Sequence, residues 1–145
     1  MHKLRRCHDI SDLRTIARKR LPQAIFDFLD GAADDEVSMR ENRSAFAQYD
    51  LIPAILTDVS DVDMTTTVMG QTIPLPLILA PTGLSRLFHH QGEKAVAIAA
   101  ARAGFIYSLS SGSSVSIEEI GALTDGPKWF QIYVWKDRTL VKEFI

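Results

Sequence analysis

The sequence has one cysteine, no long hydrophobic run and almost no net charge. Because Cys7 is alone among 145 residues, a disulfide framework and a cysteine-rich metal site are both excluded. No stretch approaches the ~18 apolar residues of a membrane span, and "MHKLRRCHDIS" lacks the apolar core of a secretory signal. A net charge of −2 gives no reason to expect a nucleic-acid partner. We therefore expect a soluble, cytoplasmic protein.

The charge is uneven along the chain. Residues 1–20 hold seven Lys/Arg against two Asp/Glu, whereas the remainder holds nine against sixteen. A solvated helix face is the ordinary explanation of such a basic stretch. The alternative is contact with anionic lipid, as in a protein attached peripherally to the inner membrane.

Residues 1–62 have the pattern of a helical leader. Ser11 is a candidate N-cap for a first helix, and the segment 22–31 predicts a second one, beginning at proline and ending at glycine. Asp34 or Asp35 is suited to cap a third helix.

From about residue 63 to residue 145 the pattern alternates between strands and helices. A hairpin is predicted around Gly70. After it, the strands "LPLILAP", "FIYSLSS" and "KWFQIYV" alternate with the helices "QGEKAVAIAAARAG", "SIEEIGAL" and "DRTLVKEFI". Gly104 is expected to end the first of these helices, and Ser116 to cap the second. This order predicts a parallel sheet with helical crossovers. Three strands cannot close a barrel, so we expect an α/β fold that is the N-terminal part of a (β/α)₈ TIM barrel, with the rest of the barrel absent from these residues.

Small and polar residues follow all three predicted strands, at the end where such barrels carry their sites. Glycine and small side chains let a flat ligand approach the backbone, while glutamine and tyrosine supply hydrogen-bonding groups. The set suits a planar heteroaromatic ring and not a metal. The alternative is that these groups satisfy one another inside an ordinary barrel. They are Ala80, Pro81, Thr82, Gly83, Ser110, Ser111, Gly112, Gln131 and Tyr133.

Several motifs together resemble the FMN-dependent 2-hydroxy acid dehydrogenase and oxidase family, which includes flavin L-lactate and mandelate dehydrogenases and glycolate oxidase. The similarity extends over about residues 9–145. It rests on "ILAPTGL", "LSSGSSVSIEE" and "WFQIYVWKDR", and on the leader motifs "LPQAIFDFLDGAADDE" and "RENRSAF".

The resemblance implies that FMN binds at the C-terminal mouth of the barrel. It implies substrate contacts from Phe28, Gly112 and Tyr133. The cofactor-binding residues that it implies are Ala80, Pro81, Thr82, Gly83, Ser110, Gln131 and Tyr133.

The family reaction oxidises an L-2-hydroxy acid, such as lactate or mandelate, to a 2-keto acid. Electrons then pass to a quinone, a cytochrome or oxygen. The catalytic histidine, the carboxylate-binding arginines and a lysine come from later strands in that family. We therefore expect no catalytic residue in this chain, which alone would be inactive, and a homo-oligomer for the intact enzyme. His8, His89 and His90 are not candidates for the base, and the last two are expected at the surface.

Two features, at three positions, depart from the pattern of parts of the family. Phe28 replaces a tyrosine whose hydroxyl bonds the substrate carboxylate, so either the substrate differs, another group compensates, or Phe28 is a core residue. Glycine at both Gly83 and Gly112 leaves room above the flavin and resembles the dehydrogenase branch.

Two alternatives to the FMN dehydrogenase stay open at this point. In the first, the chain is a non-catalytic fragment, truncated or one part of a split barrel, that needs a partner chain. In the second, it belongs to another FMN barrel, such as an isopentenyl-diphosphate isomerase.

Overall fold

The computed structural model describes residues 6–143 and divides the chain into two compact units, Met1–Val59 and Ser60–Ile145. None of the helices in this described part has the length and apolar composition needed to cross a membrane.

The N-terminal unit is helical. Its elements are α1 (Ile10–Arg20), α2 (Gln23–Asp30), α3 (Val37–Ser44) and a 3₁₀ turn, Ala45–Gln48.

The caps of α1 and α3 differ from the predicted ones. The side chain of Asp9 accepts a hydrogen bond from the Asp12 N–H at 2.9 Å, so the prediction of Ser11 as the cap is wrong. Glu36, in the left-handed region with φ of 58°, precedes α3 in place of Asp34 or Asp35. Because aspartate and serine cap equally well, spacing alone could not choose between neighbours.

Helix α2 agrees with its predicted bounds and packs on α1. Pro22 precedes its first residue and Gly31 follows its last. The guanidinium of Arg14 in α1 forms a two-point ion pair with the Asp30 carboxylate, and this hydrogen bond lowers the pKa of Asp30. Phe26 is the buried aromatic residue of this helix.

The second unit begins with the predicted hairpin. Strands β1 (Thr66–Val68) and β2 (Gln71–Ile73) pair antiparallel. Met69 and Gly70 between them have φ values of 48° and 79°, as a two-residue turn with left-handed central residues requires.

The predicted alternation of strands and helices is confirmed, with the three strands parallel in the order β3-β4-β5. Strand β5 is shorter than predicted and ends at Gln131. The elements are β3 (Ile78–Leu79), a 3₁₀ turn (Ser85–Leu87), α4 (Gly92–Ala103), β4 (Ile106–Ser110), α5 (Ile117–Leu123), β5 (Lys128–Gln131) and α6 (Arg138–Glu143).

The core lies between this sheet and the helices α4 and α5. Successive side chains of a strand point to opposite faces, so Tyr107 and Leu109 face the helices while Ser108 and Ser110 face the other side. All four are buried. The helix-side cluster consists of Ala97, Ala100, Tyr107, Leu109, Val115 and Ile120, with Leu79 and Phe130 packed against it.

Helix α5 is held at its start by Ser116, as predicted. Its side chain accepts from the Glu119 N–H at 3.1 Å, and the Glu119 carboxylate accepts from the Ser116 N–H at 3.4 Å. Replacing Ser116 by alanine should lower the free energy of unfolding of the complete gene product by about 1 kcal/mol, measured by urea titration. Ser11→Ala is the matched control and should change it by less than about 0.5 kcal/mol. An equal loss in both variants would contradict the assigned caps.

Candidate functional site

The tips of β4 and β5 are joined by a side-chain hydrogen bond. Parallel register places Ser110 opposite Gln131, and the Ser110 hydroxyl donates to Gln131 Oε1 at 3.1 Å. Both residues lie on the sheet face opposite the helices, because Leu109 and Phe130 occupy the helix side. The two strand ends therefore present their polar groups at one place.

The amide of Gln131 has a defined orientation. The backbone N–H of Ser111 also lies 3.4 Å from Oε1, and since an N–H can only donate, the oxygen must be the atom on this side. Within residues 6–143 the NH₂ group makes no hydrogen bond, so its donors are available to a ligand. The hydroxyl of Ser111 is also buried without a partner among the described residues.

The loops after β3 and β4 meet through their backbones. The N–H of Leu84 donates to the carbonyl of Gly112 at 3.0 Å. A Cβ placed on Gly83 would lie 2.9 Å from that same carbonyl oxygen, which is closer than real Cβ contacts allow. The N–H of Gly112 donates in turn to the Ser110 hydroxyl at 3.1 Å. A continuous set of contacts thus runs from the first strand tip to the third.

Five of the predicted strand-end residues are brought together in this way: Gly83, Ser110, Ser111, Gly112 and Gln131. The others on the first loop, Ala80, Pro81 and Thr82, are exposed just before Gly83. The alternative in which the polar groups satisfy one another accounts only for the Ser110 hydroxyl and Gln131 Oε1, and leaves the Gln131 NH₂ group and the Ser111 hydroxyl unexplained. The ligand contacts assigned to these residues stay predictions.

The two aromatic residues predicted to contact substrate are both exposed. Tyr133 lies two residues beyond the end of β5 and is 59% exposed. Phe28, on α2 in the other unit, is 66% exposed. The interpretation of Phe28 as a core residue is therefore wrong for the described part of the chain, since Phe26 fills that role.

The buried residue Glu93, in the first turn of α4, was missed by the sequence analysis. Its Oε1 atom accepts three hydrogen bonds: from the Ser85 N–H at 3.1 Å, and from the N–H and hydroxyl of Ser114 at 3.0 and 3.1 Å. Glutamate in a first helical turn is common because the helix dipole favours it, so the segment "QGEKAV" gave no signal of this role.

The environment of Glu93 keeps it ionised. Burial acts to raise its pKa, but the hydrogen bonds from Ser114 and Ser85 outweigh burial, and the net result is a lowered pKa. The same charge acts on a neighbouring phenol: burial first, and then the Glu93 carboxylate, raise the pKa of Tyr107 to about 12.

The two histidines before α4 make none of the hydrogen bonds that join the strand tips in the described part of this unit. His89 and His90 are exposed, as predicted, and their ring centroids lie 4.4 Å apart with the ring planes tilted by 32°. In the part of the chain that the structure describes, no group of three or more His, Cys, Asp or Glu residues is arranged to hold a metal ion.

Three parallel β/α units in succession are typical of a segment of a (β/α)₈ barrel, and the loops of Gly83 and Gly112 lie at the end where such barrels carry their sites. Comparison with known proteins agrees with this class. The family model described as FMN-dependent dehydrogenase matches residues 17–145, and the chain belongs to this family.

Curated relatives include both oxidases and dehydrogenases. Glycolate oxidase 1 of Zea mays is 42% identical over 137 residues, covering 94% of this chain and 37% of that protein. A Mycobacterium tuberculosis protein named "Putative L-lactate dehydrogenase" is 47% identical over 130 residues, covering 89% of this chain and 31% of its own length. The chain thus spans about a third of the length of these relatives.

Solved structures give the same fold. A mandelate oxidase variant, R163L, superimposes with a TM-score of 0.88 at 42% identity, over 92% of this chain and 40% of its own. A soluble mutant of the membrane-associated (S)-mandelate dehydrogenase from Pseudomonas putida superimposes with a TM-score of 0.86 at 38% identity. The match covers 90% of this chain and 37% of that one. The prediction of a partial TIM barrel from this family is confirmed.

Because Gly83 lies against Gly112, we expect any side chain at position 83 to destabilise the fold. Gly83→Ala should lower the free energy of unfolding of the complete gene product by about 1–3 kcal/mol, because the methyl group would push the Gly112 carbonyl away. Gly121→Ala is the control: it lies inside α5, where an added methyl group would have nothing within 4 Å, and should stabilise by roughly 0.5–1 kcal/mol. Urea unfolding of both variants measures this. A neutral Gly83→Ala would mean that the two loops are not in contact.

Proposed function

We propose that the protein that contains this chain uses FMN to oxidise an L-2-hydroxy acid, lactate- or mandelate-like, to a 2-keto acid. The observation that carries this proposal is the hydrogen-bonded pair of Ser110 and Gln131 at the tips of parallel strands, with amide donors left open beside it. Family membership supports the same chemistry.

The residues present fit the flavin. Its ring is flat and carries carbonyl and nitrogen acceptors at one end, which match the free NH₂ donors of Gln131. The loop ending at Gly83 and the loop through Gly112 offer backbone rather than bulky side chains to a ring face, as close approach requires. When bound, FMN supplies the acceptor for the two electrons released from the hydroxy acid.

The role of this chain in the reaction is to hold and orient. Ser110 fixes the Gln131 amide, so its donors are already positioned before a ligand arrives, which lowers the ordering cost of binding. Tyr133 offers a hydroxyl just beyond the strand tip for the substrate. The proton-abstracting histidine and the carboxylate-binding arginines are assigned to later strands of the barrel.

The test is flavin binding followed by anaerobic reduction. The complete gene product should be yellow and should lose this colour when L-lactate or L-mandelate is added without oxygen. Gln131→Ala should weaken FMN binding by about 3- to 10-fold, the loss of an ordinary hydrogen bond or two, measured by quenching of FMN fluorescence. Gln48→Ala, at an exposed position in the N-terminal unit, is the control and should bind as the wild type does. A colourless wild type overturns the proposal, and colour that no hydroxy acid removes points to another FMN barrel.

We favour electron transfer to a quinone or cytochrome over transfer to oxygen. Glycine at Gly112 supports this, because it places no side chain beside the proposed flavin, although a Cβ there would meet only ordinary contacts, 3.6 Å from the Ser110 hydroxyl and 3.9 Å from the Gly83 Cα. Gly83 gives weaker support than the sequence suggested, since the Gly112 carbonyl fills the space beside it. Oxidases among the relatives support the opposite choice. Rapid reoxidation of the reduced enzyme by air, without response to quinones, would decide for the oxidase.

The phenylalanine at position 28 gives a separate prediction about the substrate. Phe28→Tyr adds a hydroxyl on an exposed side chain. If substrate carboxylates bind near it, KM for L-lactate should fall by about 10-fold or more, as expected for a hydrogen bond to a charged group. Steady-state kinetics with L-lactate and L-mandelate measure this, with Phe46→Tyr, also exposed, on the 3₁₀ turn, as the control. Unchanged KM and kcat would show that residue 28 does not select the substrate.

A further inference from the structure

Glu93 joins two loops that come from different β/α units. Ser85 follows the loop after β3, two residues beyond Gly83, and Ser114 follows the loop after β4, two residues beyond Gly112. One carboxylate oxygen of Glu93 accepts hydrogen bonds from both. Since Glu93 is 0% exposed, water does not replace either partner.

A second contact ties the same two loops together beside it. The Arg86 N–H lies 3.4 Å from the Ser114 hydroxyl, which itself donates to Glu93. The direct backbone hydrogen bond from the Leu84 N–H to the Gly112 carbonyl lies one residue before Ser85 and two residues before Ser114. The buried Glu93 carboxylate therefore acts together with these two contacts in setting the spacing between the two loops.

A buried carboxylate is costly to retain for packing alone, because its charge loses the solvation of water. Three charge-assisted hydrogen bonds and the position in the first turn of α4 offset that cost. Its other oxygen, Oε2, has no hydrogen-bond partner among the described residues. An apolar residue would fill this space more cheaply, but it would leave the two N–H groups unsatisfied and free to separate.

From this arrangement we infer that Glu93 is a positioning residue for the cofactor: it holds the loop of Gly83 and the loop of Gly112 at the distance that a flavin ring requires. Glu93 does not touch the ligand and acts through Ser85 and Ser114. This inference rests on the proposed function, since it assigns Glu93 to the same FMN site.

The experiment compares Glu93→Ala and Glu93→Gln in the complete gene product. Alanine removes the acceptor for both loops and should weaken FMN binding about 10-fold or more. Glutamine keeps a carbonyl oxygen for Ser85 and Ser114 and should recover most of the affinity. Glu118→Ala is the matched control, because Glu118 also lies in the first turn of its helix, α5, but is exposed. It should change the affinity by less than about twofold.

Two readouts separate positioning from a loss of stability. FMN dissociation constants come from fluorescence quenching, and hydrogen exchange of residues 83–86 and 112–115 is followed without FMN. Glu93→Ala should speed exchange in both segments together, while the wild type and Glu118→Ala stay alike. If Glu93→Ala does not fold, Ser114→Ala takes its place: it removes only the hydroxyl donor and should weaken FMN binding by about 2- to 10-fold.

The outcomes distinguish the two proposals. A wild-type protein that binds no FMN overturns the proposed function, and this inference with it. A wild type that binds FMN, with Glu93→Ala or Ser114→Ala binding it equally well, overturns the inference alone. Lowered unfolding midpoints with unchanged affinity and unchanged exchange would likewise reduce Glu93 to a structural role.

Discussion

The parallel pairing of β4 with both β3 and β5 is the constraint on which the remaining features depend. Parallel strands joined by helical crossovers bring their carboxyl ends to the same edge of a sheet. The register then places Ser110 beside Gln131. The contact between the loops of Gly83 and Gly112 follows from the neighbouring pair, β3 and β4. Without this arrangement, the polar residues after each strand would be unrelated groups on separate loops.

Much of the fold could be predicted because its signals are local in the sequence. The left-handed turn at Gly70, the cap at Ser116 and the helix end at Gly104, where φ is 74°, each depend on a few adjacent residues. The alternation of apolar strands with amphipathic helices is likewise visible within short windows. The position of the candidate site followed from the same pattern, because strand ends are where such folds place their ligands.

What could not be predicted depends on residues far apart in the chain. Glu93 accepts a hydrogen bond from Ser114, 21 residues later. No pattern in the residues next to Glu93 predicts that partner. The end of β5 is another case. The alternation of side chains continues to Tyr133, but β4 has its last paired residue, Ser110, opposite Gln131. A strand is only as long as the ladder its neighbour provides, so periodicity alone overestimated it.

Pro74 and Gly104 lie close together before the start of β4, at the opposite end of the strand from the candidate site. Pro74 is the first residue after the hairpin. Its ring atom Cδ would lie 3.3 Å from a Cβ on Gly104, in the turn that leads into β4. Ile73, the residue before Pro74 and the last one of β2, is fully buried. The candidate site lies at the other ends of the strands, where the loops of Gly83 and Gly112 meet. Substitutions in those loops would therefore leave the packing of Pro74 against Gly104 unchanged.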